Sequence, residues 1–184
     1  MQSKTRKIVV TGVLGALCVI LGLTPLGFVP WFTGASLTTM HIPVIIGAVL
    51  EGPVVGLVTG LVFGVFSMVR AAVAPQGPAD VWFVNPLVSV LPRLFIGLSA
   101  WLVYAAVRRI HQVPGIVAAG IAGSLTNTVL VLAVLGLLNK LPWPAIGSIA
   151  ALNGLPEAAL AAAITFAVVA YWKHLETRKK GSSV

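Results

Sequence analysis

Long apolar stretches, separated by short polar or proline-containing breaks, run the length of the chain. A helix needs about 20 mostly apolar residues to cross the hydrocarbon core of a bilayer. Six stretches meet or approach that length: Ile8 to Leu26, Ser36 to Leu50, Pro53 to Ala74, Pro86 to Val107, Pro114 to Leu138 and Ile146 to Trp172. The second is short and contains His41 and Pro43, so a kinked or partly helical segment is expected there. Pro86 stands at the favourable first turn of the fourth. No linker, low-complexity tract or clear internal repeat divides the chain, which reads as one domain over residues 1–184.

The polar residues orient these stretches. Lys4, Arg6 and Lys7 precede the first, Arg108 and Arg109 lie between the fourth and fifth, and Lys173, Arg178, Lys179 and Lys180 follow the sixth. An even number of spans puts both termini and the 108–111 connection on one side, and the positive-inside rule makes that side cytoplasmic. The expected fold is therefore an all-α membrane protein, a bundle of six transmembrane helices with both termini cytoplasmic, in a bacterial plasma membrane. The run after Lys7 has the outline of a signal peptide, and Leu14-Gly15-Ala16-Leu17-Cys18 that of a lipoprotein cleavage site. Leu17 is too large for the position before that cysteine and no A-x-A-like site follows, so the run is expected to stay as a helix.

Composition agrees. Of 184 residues, 58% are hydrophobic and 9% charged, against about 25% charged in soluble domains. The formal charge of +8 reports orientation and attraction to anionic headgroups. It does not indicate nucleic acid, because aromatics do not interleave with the basic residues. A single cysteine, Cys18, excludes an intrachain disulfide. There is no GxxxxGK[ST] loop for ATP, no HExxH and no GxSxG, so neither an enzyme nor a metal or cofactor site is expected. The chain is also small for a stand-alone secondary transporter built from inverted repeats.

Polar groups inside a bilayer are costly and usually face the bundle interior, so the few present are informative. Arg93 lies eight residues beyond Asn85, roughly 12 Å along a helix at 1.5 Å per residue. It either snorkels or pairs with Glu157 or Asp80, or else it anchors an anionic substrate group through two parallel hydrogen bonds. Asn153 and Glu157 are one turn apart and share a face, and Pro156 between them frees the carbonyl of Leu152. That combination reads as a polar binding spot or as a structural ion pair. Asn127, beside Ser124 and Thr128, either bridges helices or faces the ligand. His41 has no neighbouring Cys, His or Asp, so a packed or ligand-facing role outweighs a metal site. Trp31, Trp82 and Trp143 lie in the outer connections 25–35, 75–85 and 139–145, as interfacial anchors or as stacking platforms under a lid. Arg70 and Asp80 flank the second of these and are placed to pair and close it.

Small residues recur as well. Gly52, Gly56, Gly60 and Gly64 line one face of the third span, and Gly12 and Ala16 form a small-xxx-small pair on the first. Such faces admit close backbone approach, either within the chain or to a second membrane protein.

The stretches Thr39-Met40-His41-Ile42-Pro43-Val44-Ile45-Ile46-Gly47, Asn85-Pro86-Leu87-Val88-Ser89-Val90-Leu91-Pro92-Arg93 and Asn153-Gly154-Leu155-Pro156-Glu157-Ala158, in that order in a small chain basic at both ends, resemble the substrate-binding S component of energy-coupling factor (ECF) transporters. The resemblance covers nearly the whole chain. It implies high-affinity capture of a water-soluble vitamin from outside, and a partnership with a transmembrane coupling subunit and two ATPase subunits. It also implies a site in the outer half of the membrane, roofed by the first outer loop, with Trp31, Arg93, Asn127, Asn153 and Glu157 around it and His41 nearby. The family's AxxxA coupling contact falls on Gly12 and Ala16, a departure from strict alanine. The wording is most similar to the pantothenate type, and pantothenate offers a carboxylate for Arg93 with hydroxyl and amide groups for Asn127, Asn153 and Glu157. Riboflavin, pyridoxine, hydroxymethylpyrimidine and stand-alone transport are the alternatives.

Overall fold

A computed structural model describes the backbone of residues 4–30, 36–75 and 77–180, and the side chains of these except 28–30, 36 and 174–180. The elements in order are α1 (Lys4–Leu23), a short hairpin of β1 (Phe28–Pro30) and β2 (Ser36–Thr38), α2 (Ile42–Glu51) and α3 (Pro53–Val73). A 3-10 turn (Pro78–Val84) leads to α4 (Pro86–Ser89), α5 (Leu91–Val107), α6 (Gln112–Leu137) and α7 (Trp143–Lys180). The hairpin is antiparallel and pairs Phe28 with Thr38.

Five stretches are long and apolar enough to cross a membrane: α1, α3, α4 with α5, α6, and α7 as far as Lys173. The stretch 36–50 is partly helical, as expected of a short segment with His41 and Pro43. Its first residues form β2, and only Ile42–Glu51 is helical. Ten helical residues span roughly 15 Å, half the hydrocarbon thickness. Every residue of α2 except Leu50 is buried, as a helix apolar on all sides requires. α2 is thus the core around which the longer helices pack, with Val44, Ile45 and Ala48 fully enclosed.

The glycine face of α3 is used inside the chain. A Cβ on Gly56 would stand 2.9 Å from the Cα of Gly97, and one on Gly64 would stand 2.8 Å from the Cα of Val90. A Cβ on Gly60 would collide with the carbonyl oxygen of Arg93. These glycines let α3 lie directly on the backbone of α5, which fixes the height of Arg93. Gly52 serves another purpose. It joins α2 to α3 with φ 102°, a conformation that costs L-residues with a Cβ. At that joint Glu51, its side chain 1% exposed, accepts a 2.8 Å salt bridge from Arg6, tying the start of α1 to the end of α2.

Gly12 and Ala16 do not share that fate. Both are exposed, and a Cβ on Gly12 would meet nothing within 4 Å. The inward positions of α1 are Gly15, Cys18 and Gly22. α7 runs without interruption through Pro156, with Leu152 and Leu155 facing outward and Asn153 and Glu157 facing inward.

Candidate functional site

Arg93 enters the interior because of a break in the fourth stretch. Asn85 caps α4 by accepting from the backbone N–H of Leu87 at 2.9 Å, and Pro92 follows Val90, where α4 gives way to α5. Arg93, in the first turn of α5, is 5% exposed. Its Nη1 donates to the carbonyl of Val88, and its guanidinium lies between the faces of Phe63 (5.2 Å) and Phe83 (5.3 Å). Its Nε is buried with no hydrogen-bond partner among the described residues.

Glu157 is equally buried at 6%, yet it is spoken for. One carboxylate oxygen accepts the backbone N–H of Thr38 at 2.7 Å, and the other accepts the hydroxyl of Thr128 at 3.1 Å. It thereby clips strand β2 onto α7 and α6. Arg93 and Glu157 are each turned to other partners and do not form the ion pair that was one sequence expectation.

Between these groups lies a cavity of about 120 Å³, walled by Arg93, Asn127, Thr128, Asn153 and Glu157, with Thr38, Phe83, Val131, Leu132 and Ile149. The Oδ1 of Asn127 is buried without a partner. A second cavity of about 70 Å³ shares Thr38, Phe83 and Arg93 and continues toward α3, where Phe63, Ser67, Arg70, Ala71 and Asp80 line it. A third and larger groove, about 500 Å³, runs outside between α5 and α6. Its two hydroxyls turn back on their own helices, Ser99 to Ile96 at 3.0 Å and Thr126 to Ala122 at 2.7 Å. It therefore offers nothing to orient a hydrophilic molecule, and leucine, valine and phenylalanine make up the rest of its lining. The inner pair of cavities has the polar groups.

Four of the residues singled out from sequence, Arg93, Asn127, Asn153 and Glu157, come together at one cavity from three helices. His41 does not join them. It is fully buried ahead of α2, its ring nitrogens without partners among the described residues, and it lines neither cavity. Trp31 lies outside the described residues. Trp82 packs beside Val88, Val131 and Leu135 and is absent from both cavity walls, where its neighbour Phe83 stands instead. Thr38, Phe63 and Phe83 were not read from sequence. Thr38 acts through its backbone, and aromatics in apolar runs carry no mark of the surface they face. Arg70 and Asp80, expected near each other, both wall the smaller cavity.

Residues 6–169 match the family described as ECF transporter, substrate-specific component. The chain belongs to that family. A similar curated protein is the pantothenic acid transporter PanT of Lactococcus lactis subsp. cremoris, 30% identical over 188 residues that cover 91% of this chain and 94% of that one. The S component described here is accordingly a multi-pass membrane protein of a transport system and not an enzyme. Its polar cavities set hydrogen-bonding groups of α5, α6 and α7 beside the backbone of β2.

Proposed function

We propose that this S component captures pantothenate from outside the cell and passes it inward with a transmembrane coupling subunit and two ATPase subunits. The observation that carries the reading is Arg93, a buried cation at the junction of two cavities with hydrogen-bonding capacity unmet by the described residues. Buried polar groups in native proteins are nearly always paired, and a buried charge costs several kcal/mol if it is not. An anionic ligand offsets that cost. Asn127 and Asn153 supply the donors and acceptors that hydroxyl and amide groups need. The relative named for pantothenic acid agrees with this chemistry. A flavin-sized ring fits less well, because the two aromatic faces at the cavities, Phe63 and Phe83, are occupied by the guanidinium.

The reading includes a six-helix bundle, with α2 as its short inner member and both termini cytoplasmic, so that the hairpin and the cavities face outward. It assigns the exposed Gly12–Ala16 face of α1 to the coupling subunit, since that face leaves room for another backbone. Mass spectrometry of small molecules co-purifying with the protein, followed by calorimetry, tests the substrate. Stoichiometric, tight pantothenate binding is expected, with no transport into proteoliposomes unless the partners and ATP are supplied. Tight binding of a different vitamin, with none for pantothenate, overturns the assignment.

A further inference from the structure

Arg93 stands between two cavities, so a ligand held by it has two possible directions. The charges around each cavity decide between them. The larger cavity contains the carboxylate of Glu157, and both its oxygens already accept hydrogen bonds, from Thr38 and Thr128. A second carboxylate placed there would meet two acceptor oxygens and no donor from Glu157, and like charges so close disfavour each other. The smaller cavity is the reverse. Its wall carries two guanidinium groups, Arg93 and Arg70, against the single carboxylate of Asp80, and Ser67 adds a hydroxyl donor. Counted alone it holds one more cation than anion, whereas the larger cavity, which shares Arg93, sums to zero with Glu157.

The local structure explains how these groups meet. Phe63, Ser67, Arg70 and Ala71 are spaced by four, three and one residues on α3 and share one helical face, which the glycine contacts of α3 hold against the start of α5. The turn Pro78–Val84 brings Asp80 and Phe83 across from it. Phe83 and Arg93 border both cavities, so a single elongated molecule passing them reaches each.

We propose that the smaller cavity is the carboxylate pocket of the site and that Arg70, with Ser67, is a specificity-determining residue. The carboxylate lies between Arg93 and Arg70 beside α3. The uncharged hydroxyl- and amide-bearing half lies in the larger cavity against Asn127, Asn153 and Thr128. This inference rests on the pantothenate reading and adds a direction and a second cation to it.

The test compares pantothenate with pantothenol, in which a hydroxymethyl group replaces the carboxylate. Calorimetry on the full chain in detergent would measure both ligands against the wild type, Arg70→Gln and Ser67→Ala. A hydrogen bond to a charged group contributes enough that Arg70→Gln is expected to weaken pantothenate about 10- to 100-fold while changing pantothenol by no more than about threefold. Ser67→Ala is expected to act the same way but more weakly. Unchanged pantothenate affinity in Arg70→Gln, or equal losses for both ligands, overturns the carboxylate pocket. Thermal unfolding of Arg70→Gln separates a damaged fold from a damaged pocket; if that variant is unstable, Arg70→Lys must retain the preference for pantothenate over pantothenol or the proposal falls. If the wild type binds pantothenate no better than a vitamin lacking a carboxylate, the substrate reading itself fails and takes this one with it.

Discussion

The guanidinium–carboxylate sets Arg6 with Glu51 and Arg93 with Glu157 are treated in opposite ways. Where α1 begins and α2 ends, Arg6 and Glu51 meet directly at 2.8 Å. At the cavities Arg93 and Glu157 border the same space, yet each is turned to other partners: Arg93 to the carbonyl of Val88 and two rings, Glu157 to Thr38 and Thr128. The first set is a finished structural contact. The second keeps a cation out of an ion pair at a cost in stability, and such costs persist where function uses the group. The fold maintains the separation physically. Glu157 is held by the hairpin and α6, and Arg93 is held by the rings and by the backbone contact between Gly60 and α5.

The widest test of that contrast is Arg93→Met. It removes the unpaired charge and keeps an apolar chain of similar reach between Phe63 and Phe83. Pantothenate affinity is expected to fall by about 100-fold or more, while the detergent Tm holds or rises, since a buried cation with no direct ion pair has been replaced. A lower Tm with unchanged affinity would make Arg93 a structural residue like Arg6. Glu157→Gln should have a smaller effect. Its amide keeps one acceptor for Thr38 but loses the charge that strengthens both hydrogen bonds, so the hairpin is clipped more loosely. About a tenfold loss in affinity is expected, seen chiefly as a faster off-rate in stopped-flow measurements. If Glu157→Gln instead tightened pantothenate, the carboxylate would be a repulsive neighbour rather than a clip.

The same contrast shows what a sequence reading reaches. Arg93, Asn127, Asn153 and Glu157 were recognisable because an apolar helix has no use for them, and the structure gathers all four. What each does was not recognisable. Whether Arg93 and Glu157 pair depends on helix rotation and on the β2 backbone, neither of which leaves a trace in residue identity. Small residues show the same limit. Gly60 and Gly12 belong to equivalent-looking patterns, but Gly60 lies on the carbonyl of Arg93 while Gly12 has open space. The helical stretches were legible from hydropathy, and 36–50 is partly helical as His41 and Pro43 led one to expect; the strand at Ser36–Thr38 and the enclosure of α2 are tertiary effects. His41 was singled out by chemistry alone and is not among the lining residues of either cavity.

Glu51→Gln is the smallest expected effect and the sharpest control. Glu51 keeps an acceptor for Arg6 in the variant, and the Arg6 side chain is 35% exposed, so its charge stays partly solvated and the Coulomb contribution is screened. A loss of about 1 kcal/mol or less is expected, readable as a Tm drop of a few degrees that shrinks when salt is raised. Pantothenate affinity should not change, because neither residue lines a cavity. A drop in affinity without a drop in Tm would mean that the end of α2 and the cavities are coupled through the buried core of that short helix. The two ion sets would then be parts of one device rather than a fastening and a binding site.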